Sequence, residues 1–277
     1  MQSDRLENIS RQDMRATMSD TVRKWGRELA TAIASSISSA AISLSIVSLW
    51  STAQAGEIQL VTENYPPFNT VHAATGEISG SSTEKVIEIM RRAGESYHLA
   101  AFPWSRAYNM SENDPDTCLF STAYTPSRRD KFQWVGPIVK NNKWVIFARA
   151  DDTRKPKDLE DLRPYVIGVY RKAMASEVLS LKQFKTEVAN YDTDNPRKLL
   201  AGRFDFWAAG ETHGMEILRN QGLEKQIVPL FHFYQAKMYL ACNLQMSKER
   251  IDHFNRILQE MESDGTVAAI DKKYRKK

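Results

Sequence analysis

The sequence is poor in the residues that build metal sites. Its 277 residues include two cysteines, Cys118 and Cys242, and five scattered histidines. No group of cysteine and histidine has the spacing that a structural zinc ion requires, so we expect no metal and no cofactor. In an exported chain the two cysteines are compatible with one disulfide, and two buried free thiols are the alternative.

Motifs of the common catalytic classes are also absent. The sequence has no glycine-rich phosphate loop, no Gly-x-Ser-x-Gly turn and no Ser/His/Asp or Cys/His arrangement. The formal net charge of +4 is weak, and part of it lies in the basic tail Lys272 to Lys277. We therefore expect neither nucleophilic catalysis nor binding of nucleic acid.

Long hydrophobic runs are missing after residue 55, and the run before it is short. A basic segment at residues 23–27 precedes an apolar core from Ile37 to Trp50, and the small residues Ala53 and Ala55 follow. This order predicts a signal peptide, residues 1–55, that is cleaved before Gly56 and directs the chain to the periplasm. A membrane anchor is the alternative, but the serine-rich core is shorter than the roughly 20 apolar residues that a span needs.

The remaining chain alternates between strand-like and helix-like segments. Apolar segments such as Ile58 to Thr62 and Trp144 to Phe147 alternate with amphipathic patterns such as Lys248 to Met261. This order predicts an α/β fold with mainly parallel sheets. The polar, proline-bearing stretch Asp151 to Pro156 is the best candidate for a crossing between two domains.

Aromatic residues and arginines follow three predicted strand ends in the first half of this region. Ligands of open α/β sheets bind at the carboxyl ends of the strands, so these residues are candidates for ligand contact. Each pattern also fits a structural role, as a proline-stiffened turn, a core tryptophan or an exposed basic turn. Tyr170 and its neighbours take equivalent positions in the second half. The candidate ligand residues are Tyr65, Phe68, Trp104, Arg106, Tyr124, Thr125, Arg128, Arg171, Trp207 and Glu211.

The ordered set of motifs resembles the extracellular solute-binding proteins of family 3, which are periplasmic receptors of polar amino acid ABC importers. The resemblance implies a fold like that of type II periplasmic binding proteins, with two α/β lobes that two hinge strands join and that close on a ligand. It covers about Glu57 to Tyr274. The residues that carry it are Tyr65 to Phe68, Thr125 to Pro137, Asp158 to Val169, Gly202 to Asp205 and Met261 to Tyr274.

The resemblance also implies domain boundaries and residue roles. Lobe 1 would comprise residues 56–147 and the returning segment 239–277, and lobe 2 residues 148–238. In the family, the arginine of a Thr-x-x-Arg motif grips the ligand carboxylate, which puts Arg128 in that role. The protein would be a monomer that captures an amino acid or a related carboxylate and delivers it to the permease of an inner-membrane ABC transporter.

The sequence departs from the family in the second lobe. Tyr170 to Ala173 stands where the family often has a glycine followed by serine or threonine, and the usual amino-group aspartate would fall near Gly210 or Glu211. Two other functions therefore remain open. An enzyme resembling cyclohexadienyl dehydratase would use Glu211 as its general acid. A sensor would dock in its closed form on a membrane signalling protein.

Overall fold

The structure, a computed structural model, describes residues 56–274. These residues form one compact unit, and the predicted signal peptide lies outside them. None of the helices in residues 56–274 has the length and apolar character needed to cross a membrane. The unit is a mixed α/β fold built on one eight-stranded sheet and a separate two-stranded sheet.

Strands and helices alternate along most of the described chain, as the sequence predicts. The strands are β1 (Ile58–Thr62), β2 (Thr70–Val71), β3 (Ile78–Ser79), β4 (Tyr97–Ala101), β5 (Thr117–Ala123), β6 (Gln133–Arg149), β7 (Ile167–Tyr170), β8 (Thr186–Ala189), β9 (Phe206–Gly210) and β10 (Ile227–Cys242). The α-helices are α1 (Ser81–Ala93), α2 (Trp104–Asn113), α3 (Met174–Leu181), α4 (Asn195–Leu200), α5 (Glu211–Gln221), α6 (Lys248–Ser263) and α7 (Thr266–Tyr274).

The strands of the large sheet lie in the order β4-β1-β5-β10-β6-β9-β7-β8. β1 runs parallel to β4 and β5, and β7 runs parallel to β8 and β9. β10 is antiparallel to β5 and β6, and β6 is antiparallel to β9. We call β4, β1 and β5 with the helices around them the first half, and β9, β7 and β8 with theirs the second half.

Two long strands, β6 and β10, join the halves. They pair with each other in antiparallel register along nearly their whole length. β6 pairs with β9 over Trp144–Phe147, whereas β10 pairs with β5 at residues Met238–Cys242. Each long strand therefore belongs to the first half at one end and to the second half at the other. The predicted fold class, two α/β parts joined by two strands, is confirmed.

The first half buries the apolar faces of α1 and α6 against the sheet. Ile89 and Met90 of α1 are fully buried, as are Phe254 and Met261 of α6. Apolar residues at three- and four-residue spacing fall on one side of a helix, which is why these two segments form amphipathic helices. The amphipathic pattern that predicts a helix from Lys248 to Met261 is confirmed, with the helix ending at Ser263.

A disulfide joins Cys118 of β5 to Cys242 of β10. The two residues lie opposite each other in the antiparallel register of these strands, and both are fully buried. The structure therefore has the disulfide rather than the two free thiols. The bond fixes the carboxyl end of β10 to the first half, next to the start of the segment that leads into α6.

Both long strands, β6 and β10, are longer in the structure than the sequence predicts. The sequence predicts only Trp144–Phe147 of β6 and the last residues of β10, because the polar run Lys140 to Lys143 interrupts the apolar pattern. In the structure the ladder between β6 and β10 continues through this run with several register shifts. Backbone groups make the ladder, so its continuation does not depend on apolar side chains.

Candidate functional site

A small cavity lies between the two halves, at the carboxyl ends of β1, β5, β7 and β9. Its volume is about 30 Å³, which is room for about two water molecules. Strand ends of both halves meet there because the parallel strands of each half point toward the other half. The lining residues are Glu63, Tyr65, Trp104, Ser121, Ala123, Arg128, Trp144, Tyr170, Ala173, Met174, Ala175, Ala208, Ala209, Gly210 and Met238.

Glu63 places a carboxyl group on the cavity wall, directly after β1. The hydroxyl of Tyr170, at the end of β7, donates a hydrogen bond to Glu63 Oε1 at 2.8 Å. Burial raises the pKa of Glu63 to about 8; the bond from Tyr170 opposes this shift, and the nearby Asp192 carboxyl adds to it. In this arrangement Glu63 is therefore mostly protonated at neutral pH.

Arg128 is the one cationic side chain among the lining residues, and it is 1% exposed. Its Nη2 lies 2.8 Å from Oε1 of Glu177, and its Nε lies 3.0 Å from Oε2 of the same carboxylate. The guanidinium carbon also lies over the rings of Trp104 and Tyr108, at 5.6 and 5.2 Å from their centroids. A carboxylate of the second half therefore occupies the planar fork of this arginine.

The turn between β7 and α3 carries further contacts across the cavity. The carbonyl oxygen of Lys172 accepts hydrogen bonds from Trp104 Nε1 at 2.8 Å and from Arg128 Nη2 at 2.9 Å. The ammonium group of Lys172 donates to Asn109 of α2. Because Trp104, Arg128 and Asn109 all belong to the first half, the turn anchors the second half against it.

Two non-glycine residues at this site have left-handed backbone conformations. Lys172 has φ 56°, and Ser121, at the cavity wall, has φ 60°. Such a conformation costs about 1–3 kcal/mol and persists where the surroundings fix it. The Lys172 carbonyl is held by its two donors, and Ser121 Oγ donates to Asn69 Oδ1 at 2.5 Å.

Tyr65 fills the side of the cavity that is formed by β9. Its ring stacks on the ring of His213, with centroids 3.9 Å apart. A Cβ atom at Gly210 would lie 2.2 Å from the Tyr65 hydroxyl, so only glycine fits at this end of β9. Burial raises the pKa of Tyr65 well above its ordinary value, which leaves a neutral hydroxyl on the wall.

A buried polar cluster lies behind Tyr65 in the second half. Asp192 accepts hydrogen bonds from Trp207 Nε1 at 2.8 Å and from Asn195 Nδ2 at 2.9 Å. Burial raises the pKa of Asp192 to about 7, although both hydrogen bonds oppose the shift. Burial also lowers the pKa of His213 to about 3, so its imidazole is neutral.

Three of the predicted ligand residues, Tyr65, Trp104 and Arg128, line the cavity. Glu211 lies outside it and pairs with His232 at 3.0 Å, and Trp207 is fully buried against Phe147. The others also lie away from the cavity lining. Phe68 lines a separate groove, Arg106 stacks on Phe102, Tyr124 packs on Trp134, Thr125 is buried beside Ser127, and Arg171 contacts Asn190.

Sequence reasoning missed the two carboxylates, Glu63 and Glu177. Glu63 had a signal, because it directly follows a predicted buried strand and stands two positions before Tyr65. Glu177 had none, since an acidic residue in the first turn of a helix is common on exposed surfaces. Within residues 56–274, no three His, Cys, Asp or Glu side chains are grouped so that they could hold a metal ion.

The chain matches one known protein family. The model of the bacterial extracellular solute-binding proteins, family 3, matches residues 58–277. No curated protein matches the chain at a significant level.

Solved structures with the same fold are numerous. A histidine kinase sensor domain with similarity to periplasmic binding proteins has a TM-score of 0.72 and 22% identity, over 79% of this chain and 95% of that chain. A mutant of the arginine-binding protein ArgBP from T. maritima has a TM-score of 0.69 and 18% identity, over 80% of this chain and 96% of that chain. The substrate-binding protein of an amino acid ABC transporter has a TM-score of 0.68 and 17% identity, over 80% of this chain and 100% of that chain. These similarities establish the fold.

Proposed function

The chain belongs to the bacterial extracellular solute-binding proteins of family 3, and we propose that it captures a small polar solute between two lobes and delivers it to an ABC importer. The observation that carries this proposal is the cavity at the strand ends of both halves, with polar and aromatic side chains from each half on its walls. A site split in this way forms only when the halves come together, as a capture mechanism requires.

The two long strands support a hinge. Under this proposal lobe 1 comprises residues 56–147 and 239–277, lobe 2 comprises residues 148–238, and the lobes rotate about β6 and β10. The contacts between the lobes at the cavity are mostly side-chain hydrogen bonds and ion pairs, which solvent can replace when the lobes separate. The disulfide lies within lobe 1, so it leaves the rotation free.

The solute class to test first is that of amino acids and related small polar molecules. The arginine-binding protein and the transporter component among the similar structures support this choice. Under the same proposal the protein acts as a monomer with an inner-membrane permease as its partner. Residues 1–55 direct export to the periplasm and are removed before Gly56, which N-terminal sequencing of the exported protein tests.

A thermal shift screen of the protein from Gly56 to Lys277 tests the proposal. The panel consists of amino acids, amines, organic anions and neutral polar solutes. A ligand present at about 100 times its dissociation constant stabilises the folded state by about 2.7 kcal/mol, so a binding class is visible as a higher melting temperature. Arg128→Ala removes a residue of the cavity wall and is expected to reduce the shift. Glu249→Gln, at an exposed residue of α6, serves as the matched control.

Isothermal titration calorimetry and small-angle scattering then follow each ligand that shifts the melting temperature. The proposal expects one solute per chain, a change in radius of gyration on binding, and unchanged solute after incubation. A flat melting temperature across the whole panel contradicts solute capture, and conversion of the solute contradicts a purely binding role.

Similarity to a histidine kinase sensor domain favours a second candidate, in which the closed form signals to a membrane protein. Crosslinking in native membranes with and without ligand separates the two candidates. Ligand-dependent recovery of a transporter permease supports delivery, and ligand-dependent recovery of a kinase or chemoreceptor supports sensing.

A further inference from the structure

The cavity has an unusual balance of charge. Two of its lining side chains, Glu63 and Arg128, are acidic or basic. Arg128 is bound through two of its nitrogens to the carboxylate of Glu177, and its Nη2 also donates to the carbonyl oxygen of Lys172. The positive charge on the wall is therefore balanced by the protein itself, through a carboxylate that occupies the fork of the guanidinium.

Within residues 56–274 Glu63 forms no ion pair at contact distance, and the charge of Arg128, on the same wall, lowers its pKa only from farther away. Its contact across the cavity is the neutral hydroxyl of Tyr170 at 2.8 Å. The Asp192 carboxyl lies near enough to disfavour a second negative charge. A ligand carboxylate would face this acidic side of the cavity, whereas a ligand cation would provide the charge that lets Glu63 lose its proton.

The other walls suit a cation as well. Tyr65, Trp104 and Tyr170 contribute aromatic side chains, whose faces attract ammonium and guanidinium groups. Met174, Met238 and the alanines of β9 contribute apolar surface that fits a methylene chain.

We propose that the site selects a small organic cation without a carboxylate group, an amine or a guanidine, with Glu63 as its counter-ion and Glu177 as the built-in carboxylate that occupies Arg128. This inference rests on the proposed function, since it names the solute class of the same site. It makes Glu63 and Glu177 specificity residues with opposite roles: Glu63 attracts the cation, and Glu177 keeps carboxylates out.

Pairs of ligands that differ by one carboxylate test the proposal. Agmatine is compared with arginine, cadaverine with lysine, and putrescine with ornithine, each by calorimetry on the protein from Gly56 to Lys277. We expect one decarboxylated ligand to bind at least about 10-fold more tightly than its amino acid. Glu63→Gln is expected to weaken that binding at least about 10-fold, and the control Glu249→Gln is expected to leave it unchanged.

Glu177→Gln provides the second arm. The substitution keeps the shape of the side chain and leaves the charge of Arg128 without an anionic partner. The ratio of the two affinities is therefore expected to shift toward the amino acid of each pair by about 10-fold or more. Circular dichroism and the melting temperature establish that each variant is folded. A Glu177→Asp variant, which retains the charge, is expected to retain the preference of the wild type.

The outcomes separate this inference from the proposed function. Tighter binding of the amino acids, or of an anionic or neutral solute alone, overturns the cation assignment and leaves solute capture intact. An unchanged preference in Glu177→Gln overturns the role of Glu177. Absence of binding across the whole panel overturns both the assignment and the proposed function.

Discussion

Arg128, after β5 in the first half, and Glu177, in α3 of the second half, form an ion pair across the cavity, with Nη2 2.8 Å from Oε1. The arginine is 1% exposed and the glutamate side chain 26% exposed. Most surface ion pairs contribute little to stability because water screens them. This pair is largely shielded, and it joins the first half of the chain to the second half. It therefore helps to hold the two halves together at the cavity.

Replacing Glu177 is expected to lower the free energy of unfolding more than replacing Arg128. Glu177→Gln leaves the buried guanidinium of Arg128 without its anion and should lower the free energy of unfolding by about 2–4 kcal/mol. Arg128→Met leaves a carboxylate that water reaches, and should lower it by about 1–3 kcal/mol. Urea unfolding at pH 7 measures both values.

The double variant isolates the coupling between the two residues. Arg128→Met with Glu177→Gln should cost less than the sum of the single changes, by about 1–3 kcal/mol, because no charge is left unpaired. Small-angle scattering should also give a larger radius of gyration for each single variant, since the pair holds the halves together. Additive costs and unchanged scattering would speak against a direct pair in solution.

Gly210 should not tolerate a methyl group. In Gly210→Ala the new Cβ would lie 2.2 Å from the Tyr65 hydroxyl. The ring of Tyr65 cannot move away, because it is buried and stacked on His213. Overpacking of this kind costs about 1–3 kcal/mol, and urea unfolding should detect the loss.

Tyr65→Phe tests the cause of that loss. The phenylalanine lacks the hydroxyl that the alanine would meet, so Tyr65→Phe with Gly210→Ala should recover most of the stability lost in Gly210→Ala. Tyr65→Phe alone is the control for the missing hydroxyl. A double variant that is as unstable as Gly210→Ala would mean that the clash lies elsewhere in β9.

The disulfide should make a large contribution to stability. Cys118 and Cys242 are separated by 124 positions, so the bond closes a long loop in the unfolded chain. Replacing both by alanine is expected to lower the free energy of unfolding by about 2–5 kcal/mol. Urea unfolding with and without a reducing agent measures it. The reductant should destabilise the wild type but not the double variant, and equal midpoints for oxidised and reduced wild type would contradict the prediction.

The fold could be predicted from sequence further than the site. The segment Trp144–Phe147 of β6 is a continuous apolar run, and the amphipathic α6 has a clear helical period. The long strands could not be bounded in this way, because their middle parts are polar and are held by backbone pairing with each other. That pairing depends on a neighbour that is distant in sequence.

The candidate site was predicted in part, and the reason is geometric. Tyr65, Trp104 and Arg128 reach the cavity because each follows a segment that leads to the same edge of the sheet. Trp207 lies inside β9 rather than after it, and its ring turns into the core and stacks on Phe147. Glu177 meets Arg128 only through the contact between the two halves, so local sequence carries no sign of it.

The buried carboxyl of Glu63 predicts an unusual dependence of stability on pH. Burial raises the pKa of Glu63 from 4.5 to about 8, so the folded protein binds a proton that the unfolded chain releases. The stabilisation is fully present below about pH 4.5 and is lost as the pH rises toward 8. For one group the slope is about 1.4 kcal/mol per pH unit within this window. The groups that interact with Glu63 are Tyr65, Tyr170, Asp192 and Arg128.

Comparison with Glu63→Gln isolates this contribution. Asp192, with a pKa raised to about 7, also makes the folded state less stable as the pH rises. His213, with a pKa lowered to about 3, makes the folded state more stable as the pH rises. Both groups are present in the variant, so the difference between the two proteins is due mainly to Glu63. Urea unfolding at pH 5, 6, 7 and 7.5 should give a variant that gains stability relative to the wild type by up to about 1.4 kcal/mol per pH unit. A difference that stays constant over this range would mean that Glu63 is already ionised, with its charge balanced by Arg128 rather than by a bound proton.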